Sequence, residues 1–316
     1  MDRRSFLHLS SVALAPALIS PYSMVAAWTP AHFERKFTIS LNPGAIGVSA
    51  PLDELINYAI DFDFEALSPP GEVAQLSKSA ASDVMARMKE KGLQWGSAGL
   101  PVDFRKSEDV FKDGLQALPD VAKGLQQAGV TRMNTWIMPR HDTLTYMENF
   151  KQHATRLREI GTILADHNIR FGLEYVGPLT LRSQWKYTFV HSLKELRELL
   201  VAIDRSNVGI VLDSFHWFTA HETVEDLLTV KNEEVVACDL NDVPVGRTRD
   251  EQIDGQRMLP ASTGMIDIKR FLQALVTIGY DGPVRAEPFN KELNDLPNEA
   301  AVSATSRAMH RAINMI

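Results

Sequence analysis

Length, composition and charge are those of a globular protein: 316 residues, 45% hydrophobic and 23% charged, with a formal net charge of −7, enough for one large domain or two small ones. The acidic balance and the lack of a basic stripe exclude nucleic acid as an expected partner, because phosphate contacts need an excess of Lys and Arg. The single cysteine, Cys238, excludes an internal disulfide, and its place in an apolar run indicates packing rather than nucleophilic chemistry.

The first residues carry the pattern of an export signal. Arg3 and Arg4 form a twin-arginine core, which an apolar stretch and a run of small residues follow. A membrane anchor and a buried first helix are the alternatives, but the apolar stretch is short for a membrane span. We expect a twin-arginine signal over 1–27, cut near Ala27 or at 15–17, and a periplasmic mature protein without stable membrane association. Residues 1–27 hold two Arg and one Asp, so their removal takes the net charge from −7 to −8.

Strand and helix patterns alternate over residues 28–316. Short runs of branched and apolar residues predict eight strands, at Phe37–Leu41, Phe62–Leu67, Gln94–Ala98, Arg132–Ile137, Arg170–Tyr175, Val208–Leu212, Val235–Leu240 and Val284–Glu287. Helical patterns fall between and after them, near 52–60, 80–91, 108–128, 143–168, 192–203, 223–231, 267–278 and 298–314. Eight such pairs predict one α/β domain, a (β/α)8 TIM barrel. An open doubly wound sheet is the alternative, but no glycine-rich phosphate loop follows an early strand.

Acidic residues close four consecutive predicted strands. They are Glu174, Asp213, Asp239 and Glu287. An acid at the end of a buried strand costs free energy unless it is paired, hydrogen-bonded or bound to a cation. Because the carboxyl ends of parallel strands meet at one mouth of a barrel, we expect these four acids to converge on a divalent metal. Asp242 competes with Asp239 for one ligand position, and Asp239 is the favoured candidate.

The predicted metal centre suggests a reaction. Oxygen ligands with open octahedral positions suit Mg²⁺ or Mn²⁺ better than Ca²⁺. Such an ion lowers the cost of removing a proton next to a carbonyl, because it stabilises the enediolate. Glu174 and Glu287, from the fifth and eighth predicted strands, are expected to remove and return that proton from opposite sides of the mouth. The predicted function is therefore metal-dependent isomerisation or epimerisation of a small-molecule carbohydrate or cyclitol.

Other side chains are candidates for substrate binding. They are His216, Arg257, Trp185 and His141. His216 could hydrogen-bond a substrate hydroxyl, and Arg257 could bind hydroxyls or a carboxylate. His141 follows the fourth predicted strand and could reach the same pocket. Trp185 is expected to pack against a sugar ring, as are Trp136 and Tyr175, with plain core packing as the alternative.

The region 173–289 resembles the xylose-isomerase-like TIM-barrel superfamily of sugar isomerases and epimerases. The resemblance rests on the order and spacing of LEYVGP, NVGIVLDSFHW, LNDVP, RMLP with GMIDIKRFLQAL, and GYDGPVRAEPF. The superfamily's usual ligand on the seventh strand is a histidine, where this chain has Asp239. The substitution makes the predicted site all-oxygen and more negative.

The resemblance implies roles for individual residues. Glu174, Asp213 and Glu287 fall on three of the four metal ligands, and Glu174 and Glu287 also fall on the proton-shuttling pair of the ketose 3-epimerase branch. His216 and Arg257 match positions that contact substrate there. The turn after Leu259-Pro260 departs from the tighter Pro-Gly-x-Gly turn of the superfamily.

Three alternative functions remain open from the sequence. A lyase or hydratase acting on a keto-sugar or keto-glycoside would begin with the same proton abstraction. A non-catalytic sugar-binding or metal-binding barrel is supported by the missing histidine on the seventh strand. A DNA-repair endonuclease would need more histidine ligands and a basic surface, which this sequence lacks. The oligomeric state is open, with a homo-oligomer as one possibility.

Overall fold

The computed structural model describes residues 34–316, in which parallel strands alternate with helices. The strands are β1 (Thr38–Leu41), β2 (Ala66–Leu67), β3 (Gln94–Trp95), β4 (Ala98–Gly99), β5 (Arg132–Trp136), β6 (Arg140–His141), β7 (Arg170–Glu174), β8 (Tyr187–Thr188), β9 (Val208–Asp213), β10 (Val235–Leu240) and β11 (Pro283–Ala286). The α-helices are α1 (Leu52–Asp61), α2 (Lys78–Glu90), α3 (Glu108–Gln127), α4 (Tyr146–Asp166), α5 (Leu179–Arg182), α6 (Leu193–Ile203), α7 (Ser214–Thr219), α8 (Val224–Leu228), α9 (Ile268–Thr277), α10 (Lys291–Asn294) and α11 (Asn298–Ile313). The expected export signal lies outside the described residues.

The main sheet closes into a barrel. Its nine strands run in the order β3-β2-β1-β11-β10-β9-β7-β5-β4, and every neighbouring pair is parallel. β3 and β4 are the two edge strands of the sheet, and only Gly96 and Ser97 separate them in the chain. Together they form one interrupted strand, which closes the barrel. A Cβ on Gly96 would lie 2.6 Å from Ser40 Oγ, which explains why glycine stands at this join. The structure confirms the predicted single TIM barrel.

The predicted elements are all present, with small differences at their ends. The second predicted strand is too long at its start, because Phe62 terminates α1 and Asp63 takes a left-handed conformation with φ of 57°. The sequence did not predict the short helices α5, α7 and α10 or the antiparallel pair β6–β8. That pair ties the loop after β5 to the loop after β7, on the side of the barrel where the strands end.

Capping side chains and a glycine define several helix ends. Ser192 caps α6 by accepting a hydrogen bond from the Glu195 N–H, and Thr145 and Glu148 form a reciprocal capping box at the start of α4. Gly129 follows α3 with a positive φ of 79°, a conformation that costs glycine little. Within residues 34–316, no helix combines the length and apolar character that a membrane span requires.

Candidate active site

The structure brings the four predicted acids together at the carboxyl ends of β7, β9, β10 and β11. Glu174 and Asp213 end their strands, Asp239 is the penultimate residue of β10, and Glu287 follows β11. One carboxylate oxygen from each of Glu174, Asp239 and Glu287 lies within 4.8 Å of the others. Ligating atoms of Glu174, Asp213 and His216 form a second such group. The roles of the four acids as metal ligands, and of Glu174 and Glu287 as catalysts, stay predictions.

Glu174 is the acid without a compensating contact. Its side chain is buried, and its Oε1 has no hydrogen-bond partner among residues 34–316. Burial raises the pKa of Glu174 well above its usual value, and the nearby charges of Glu287, Asp213 and Asp239 raise it further. An orphaned, buried carboxylate of this kind favours either a proton or a cation at that oxygen.

Arg257 supplies positive charge to the other side of the cluster. Its Nη1 donates to Asp213 Oδ2 at 2.8 Å and to Glu287 Oε2 at 3.2 Å, and its Nη2 donates to Asp254 Oδ1 at 2.8 Å. Burial alone would lower the pKa of Arg257, but Asp213, Asp254 and Glu287 outweigh it and raise the pKa. Burial raises the pKa of Glu287 to about 8 and that of Asp213 to about 6, and Arg257 opposes both shifts.

Arg257 is buried and fixed between aromatic rings, unlike a solvent-exposed loop arginine. It is 2% exposed, and its guanidinium lies 4.6 Å from the Phe215 ring centroid and 4.5 Å from that of Phe289. Sequence reasoning named Arg257 as a substrate contact and did not find Asp254. The spacing of three residues between Asp254 and Arg257 was the available signal.

Asp213 has two roles in the structure. As the N-cap of α7 it accepts a hydrogen bond from the Phe215 N–H at 2.7 Å through Oδ1, and the same oxygen accepts from Asn241 Nδ2 at 3.0 Å. Its Oδ2 faces Arg257. The residue is thus both the helix cap and the member of the acid cluster that its sequence position suggested.

Asp239 is paired with an arginine that sequence reasoning missed. Arg285 donates through Nε to Asp239 Oδ1 at 2.5 Å and through Nη2 to Oδ2 at 3.0 Å, a bidentate and buried ion pair. The two residues are direct partners in the β10–β11 register. Asp239 outweighs burial and raises the pKa of Arg285. The signal for Arg285 was its place two residues before Glu287, since alternate residues of a strand share a face.

His216 is a buried neutral ring at the edge of the cluster. Its Nδ1 accepts from the Gly177 N–H at 3.3 Å, and its Nε2 lies 3.2 Å from Arg257 Nη2. Burial lowers the pKa of His216 to about 3, with the charge of Arg257 adding to the effect. A Cβ on Gly177 would lie 2.6 Å from the His216 carbonyl oxygen, so glycine lets the two segments approach.

A cavity of about 630 Å³ opens beside Glu287, a size that suits a small molecule. Glu287 reaches it, with a side chain that is 16% exposed. Residues from several strand ends and loops form the wall, among them Arg105, Asn134, Thr135, Trp136, Arg285 and Phe289. Trp136 therefore lies where the sequence suggested an aromatic wall.

The remaining candidates lie in other surroundings. Trp185 is 44% exposed and stacks under the Arg140 guanidinium at 4.2 Å, and it is not among the residues that line the cavity in the described chain. His141 Nδ1 accepts hydrogen bonds from the backbone of the turn that follows it, at 2.8 Å for the Leu144 N–H. Tyr175 is fully buried and donates to Glu222.

The acidic residues could hold a metal ion, and the donor set fits a hard cation in part. Glu174 offers a buried oxygen without a partner, and all four acids supply oxygen ligands. A cation would share Asp213 and Glu287 with Arg257. It would share Asp239 with Arg285, which already engages both oxygens of that carboxylate.

Known proteins resemble the chain in both sequence and fold. The family model described as xylose isomerase-like TIM barrel matches residues 57–312. The chain is 29% identical over 160 residues to an inosose isomerase of Bacillus subtilis (strain 168), covering 50% of this chain and 53% of that protein. It is 25% identical over 148 residues to a 3-dehydroshikimate dehydratase of Pseudomonas aeruginosa, covering 46% and 22%. The match therefore spans about half the length of the isomerase.

Solved structures agree with the fold. A xylose isomerase domain protein from Alicyclobacillus acidocaldarius is 30% identical, with a TM-score of 0.77 over 88% of this chain and 99% of that one. The structure of IOLI protein with a binding zinc atom is 18% identical, with a TM-score of 0.73 over 88% and 98%, a likeness of fold alone.

Proposed function

The chain belongs to the xylose isomerase-like TIM barrel family, and on this premise we propose that it is an isomerase or epimerase acting on a carbohydrate or cyclitol. It removes a proton from the carbon next to a carbonyl and returns it to the opposite face or to the neighbouring carbon. The observation that carries the proposal is the pair Glu174 and Glu287, two acids with raised pKa values whose carboxylate oxygens lie within 4.8 Å of each other, with Glu287 lining a cavity of suitable size.

The two acids have different surroundings, which suggests different roles. Burial raises both pKa values, and two neighbouring carboxylates cannot both ionise cheaply. Glu287 accepts a hydrogen bond from Arg257, whereas Glu174 has no such partner. We therefore assign the base role to Glu287, which takes the substrate proton, and the return of a proton from the other side to Glu174. The neutral ring of His216 and the guanidinium of Arg257 orient the base and exclude water around it.

A divalent metal is part of the proposal. Glu174, Asp213 and Glu287 would hold it, with Asp239 as a fourth ligand in competition with Arg285. Glu174 belongs to both groups of ligating atoms that lie within 4.8 Å of one another. The oxygen donors favour Mg²⁺ or Mn²⁺, whereas zinc prefers nitrogen and sulfur. When bound, the ion supplies positive charge that stabilises the enediolate oxygen.

A dehydratase is the second candidate. The similarity to a 3-dehydroshikimate dehydratase supports it. Elimination begins with the same proton abstraction by Glu287, and the acid then protonates a departing hydroxyl instead of a carbon. The two reactions differ in the product, which is an unsaturated carbonyl compound for the dehydratase.

Solvent deuterium exchange tests the proposal. Purified mature protein, supplied with Mg²⁺ or Mn²⁺ in D₂O, is incubated with a panel of ketoses, inososes and keto acids, and the products are followed by NMR. We expect deuterium at the carbon next to the carbonyl, and at least about a hundredfold loss of rate in both Glu174→Gln and Glu287→Gln.

Glu222→Gln is the matched control, because Glu222 is an acid of raised pKa outside the cluster. It should keep the wild-type rate. Exchange that survives in Glu174→Gln and Glu287→Gln would contradict the proposal, as would no exchange with any member of the panel. Accumulation of an unsaturated product would replace the isomerase with the dehydratase.

A further inference from the structure

We propose that the cavity beside Glu287 binds substrate through a carboxylate group, held by Arg105 and Arg285, so that the substrate is an acidic sugar or a carboxylated cyclitol. The inference rests on the proposed function, which defines the carbonyl at which the substrate reacts. It adds a second substrate group, the carboxylate that the two arginines would bind. Both arginines line the cavity that Glu287 also reaches.

Arg105 is a half-buried cation, with a side chain 20% exposed, and it has no carboxylate at hydrogen-bond distance within residues 34–316. Its Nη2 donates to Thr135 Oγ1 at 2.8 Å and to the Trp136 carbonyl oxygen at 2.7 Å. Its Nε is buried and has no hydrogen-bond partner within residues 34–316. The nearest acid, Asp103, leaves 3.8 Å between Oδ1 and Arg105 Nη1. Burial, the larger influence, lowers the pKa of Arg105 to about 10, so the group stays charged at neutral pH.

Aromatic rings hold this guanidinium in one orientation. It lies 4.4 Å from the Phe104 ring centroid and 4.2 Å from that of Trp136. Stacking and the two bonds to the β5 backbone and side chain fix the plane of Arg105. A fixed guanidinium plane is what bidentate recognition of a planar carboxylate requires.

Arg285 contributes a second, oriented set of N–H groups. Asp239 engages its Nε and Nη2, and its Nη1 contacts the Asn134 side chain at 3.3 Å. Arg105 contacts Thr135, the next residue of β5, so both arginines approach the same part of the cavity wall. Asp239 neutralises Arg285 at hydrogen-bond distance, whereas Asp103 stays 3.8 Å from Arg105, so Arg105 supplies the less completely paired charge.

A carboxylate explains these contacts better than a hydroxyl. A partly buried charge is costly unless it is paired, and a substrate anion would complete the pairing of Arg105. Asp239, proposed above as a metal ligand in competition with Arg285, also orients Arg285 in this subsite. A carboxylate at this wall leaves the rest of a six-carbon ring within the same cavity, toward Glu287.

Calorimetric titration of the mature protein with pairs of compounds that differ in a carboxylate tests the subsite. The probes are D-glucuronate against D-glucose and quinate against myo-inositol, with D-glucose 6-phosphate as a further anion. We expect each carboxylic acid to bind at least about tenfold more tightly than its neutral partner. Arg105→Gln should remove most of that preference, because a charge-assisted pair is lost.

Arg140→Gln is the matched control. Arg140 also stacks on a tryptophan, Trp185, at 4.2 Å, but it is not among the cavity-lining residues of the described chain. It should leave the preference unchanged. The double variant Asp239→Asn with Arg285→Gln removes the second arginine without leaving a buried unpaired carboxylate, and it should weaken acid binding as well.

The outcomes separate the subsite from the reaction. Equal affinity for acids and neutral partners, or a preference that survives in Arg105→Gln, would overturn the subsite. Tighter binding of glucose 6-phosphate than of glucuronate would overturn the carboxylate assignment. Deuterium exchange into neutral ketoses without any acid preference would leave the proposed reaction standing and remove the subsite. A preference for acids without deuterium exchange in any substrate would leave the subsite standing and remove the proposed reaction.

Discussion

Single residues show what the sequence could and could not reveal about the site. The position of Glu174 at the end of an apolar run was enough to predict a buried acid at the barrel mouth, because strand direction alone fixes that end. The pairing of Asp239 with Arg285 was not predictable in the same way. It depends on the β10–β11 register, which brings together residues 46 positions apart. Predicting the acids therefore did not predict which of them are already neutralised.

His153 gives a prediction about stability and pH. It is buried, its Nδ1 contacts the Asn149 carbonyl oxygen at 2.9 Å, and its Nε2 has no partner among residues 34–316. Burial lowers its pKa to about 3, while the unfolded chain has a pKa of about 6.5. As the pH falls from 6.5 toward 3, the unfolded state binds a proton that the folded state refuses. This stabilising contribution is therefore present above pH 6.5 and is lost on acidification, by about 1.4 kcal/mol per pH unit.

The variant His153→Gln can still donate to Asn149 but does not titrate. Between pH 6.5 and 5, its free energy of unfolding in urea should fall by about 2 kcal/mol less than that of the wild type. His216 titrates in both proteins and cancels in the difference. Parallel pH profiles for the two proteins would show that His153 is not held neutral.

At the scale of secondary-structure elements, long periodic segments were predictable and short ones were not. The 21-residue α4 has a regular apolar face and a capping box, and both are visible in the sequence. The six-residue α7 has buried side chains throughout, so no periodicity marks it, and its start depends on the cap that Asp213 provides. The two-residue strands β6 and β8 pair Arg140 with Thr188 and His141 with Tyr187, and only the tertiary fold brings these distant residues together.

Close packing of α3 leads to a second stability prediction. A Cβ on Gly124 would lie 1.8 Å from the Ala74 carbonyl oxygen, in the turn over residues 71–75. Alanine normally stabilises a helix interior relative to glycine by about 1 kcal/mol, but the clash with backbone outweighs this gain. Gly124→Ala should lower the free energy of unfolding by about 2 kcal/mol.

Gly114 in the same helix serves as the control, because a Cβ there approaches Val102 only to 3.3 Å. Gly114→Ala should change stability by less than about 1 kcal/mol in urea denaturation. Equal or greater stability of Gly124→Ala would show that the turn moves aside.

For the whole molecule, the count of alternating patterns was sufficient to predict the closed barrel. Eight strand–helix pairs without a phosphate loop favoured a closed barrel over an open sheet. The observed strand order agrees with this prediction, because its two edge strands, β3 and β4, are consecutive in the chain. The break at Gly96 and Ser97 could not be predicted, since it depends on the approach of Ser40 from β1. Loop positions were also beyond reach: the sequence suggested both Trp136 and Trp185 for the cavity wall, and of these two Trp136 lines the cavity in the described chain.

Export through the twin-arginine route is a proposal at this scale, carried by Arg3 and Arg4 in the sequence. Replacing both with lysine should keep the full-length protein in the cytosolic fraction, because the route reads the arginine pair. Immunoblots of periplasmic and cytosolic fractions measure the distribution. Mature protein in the periplasm at wild-type amounts from the double variant would exclude this route.

The interrupted strand has a consequence for entry to the cavity. Two ladder pairs each join β1 to β2, β2 to β3 and β4 to β5, against five between β5 and β7. Local opening is easiest where the fewest backbone hydrogen bonds hold neighbouring strands together. Local opening of the barrel should therefore begin along these short strands. Ser97 and Gly99 from the join also border the cavity. The break between β3 and β4, where Gly96 avoids crowding, would thus act as a hinge that widens the entrance of the cavity beside Glu287.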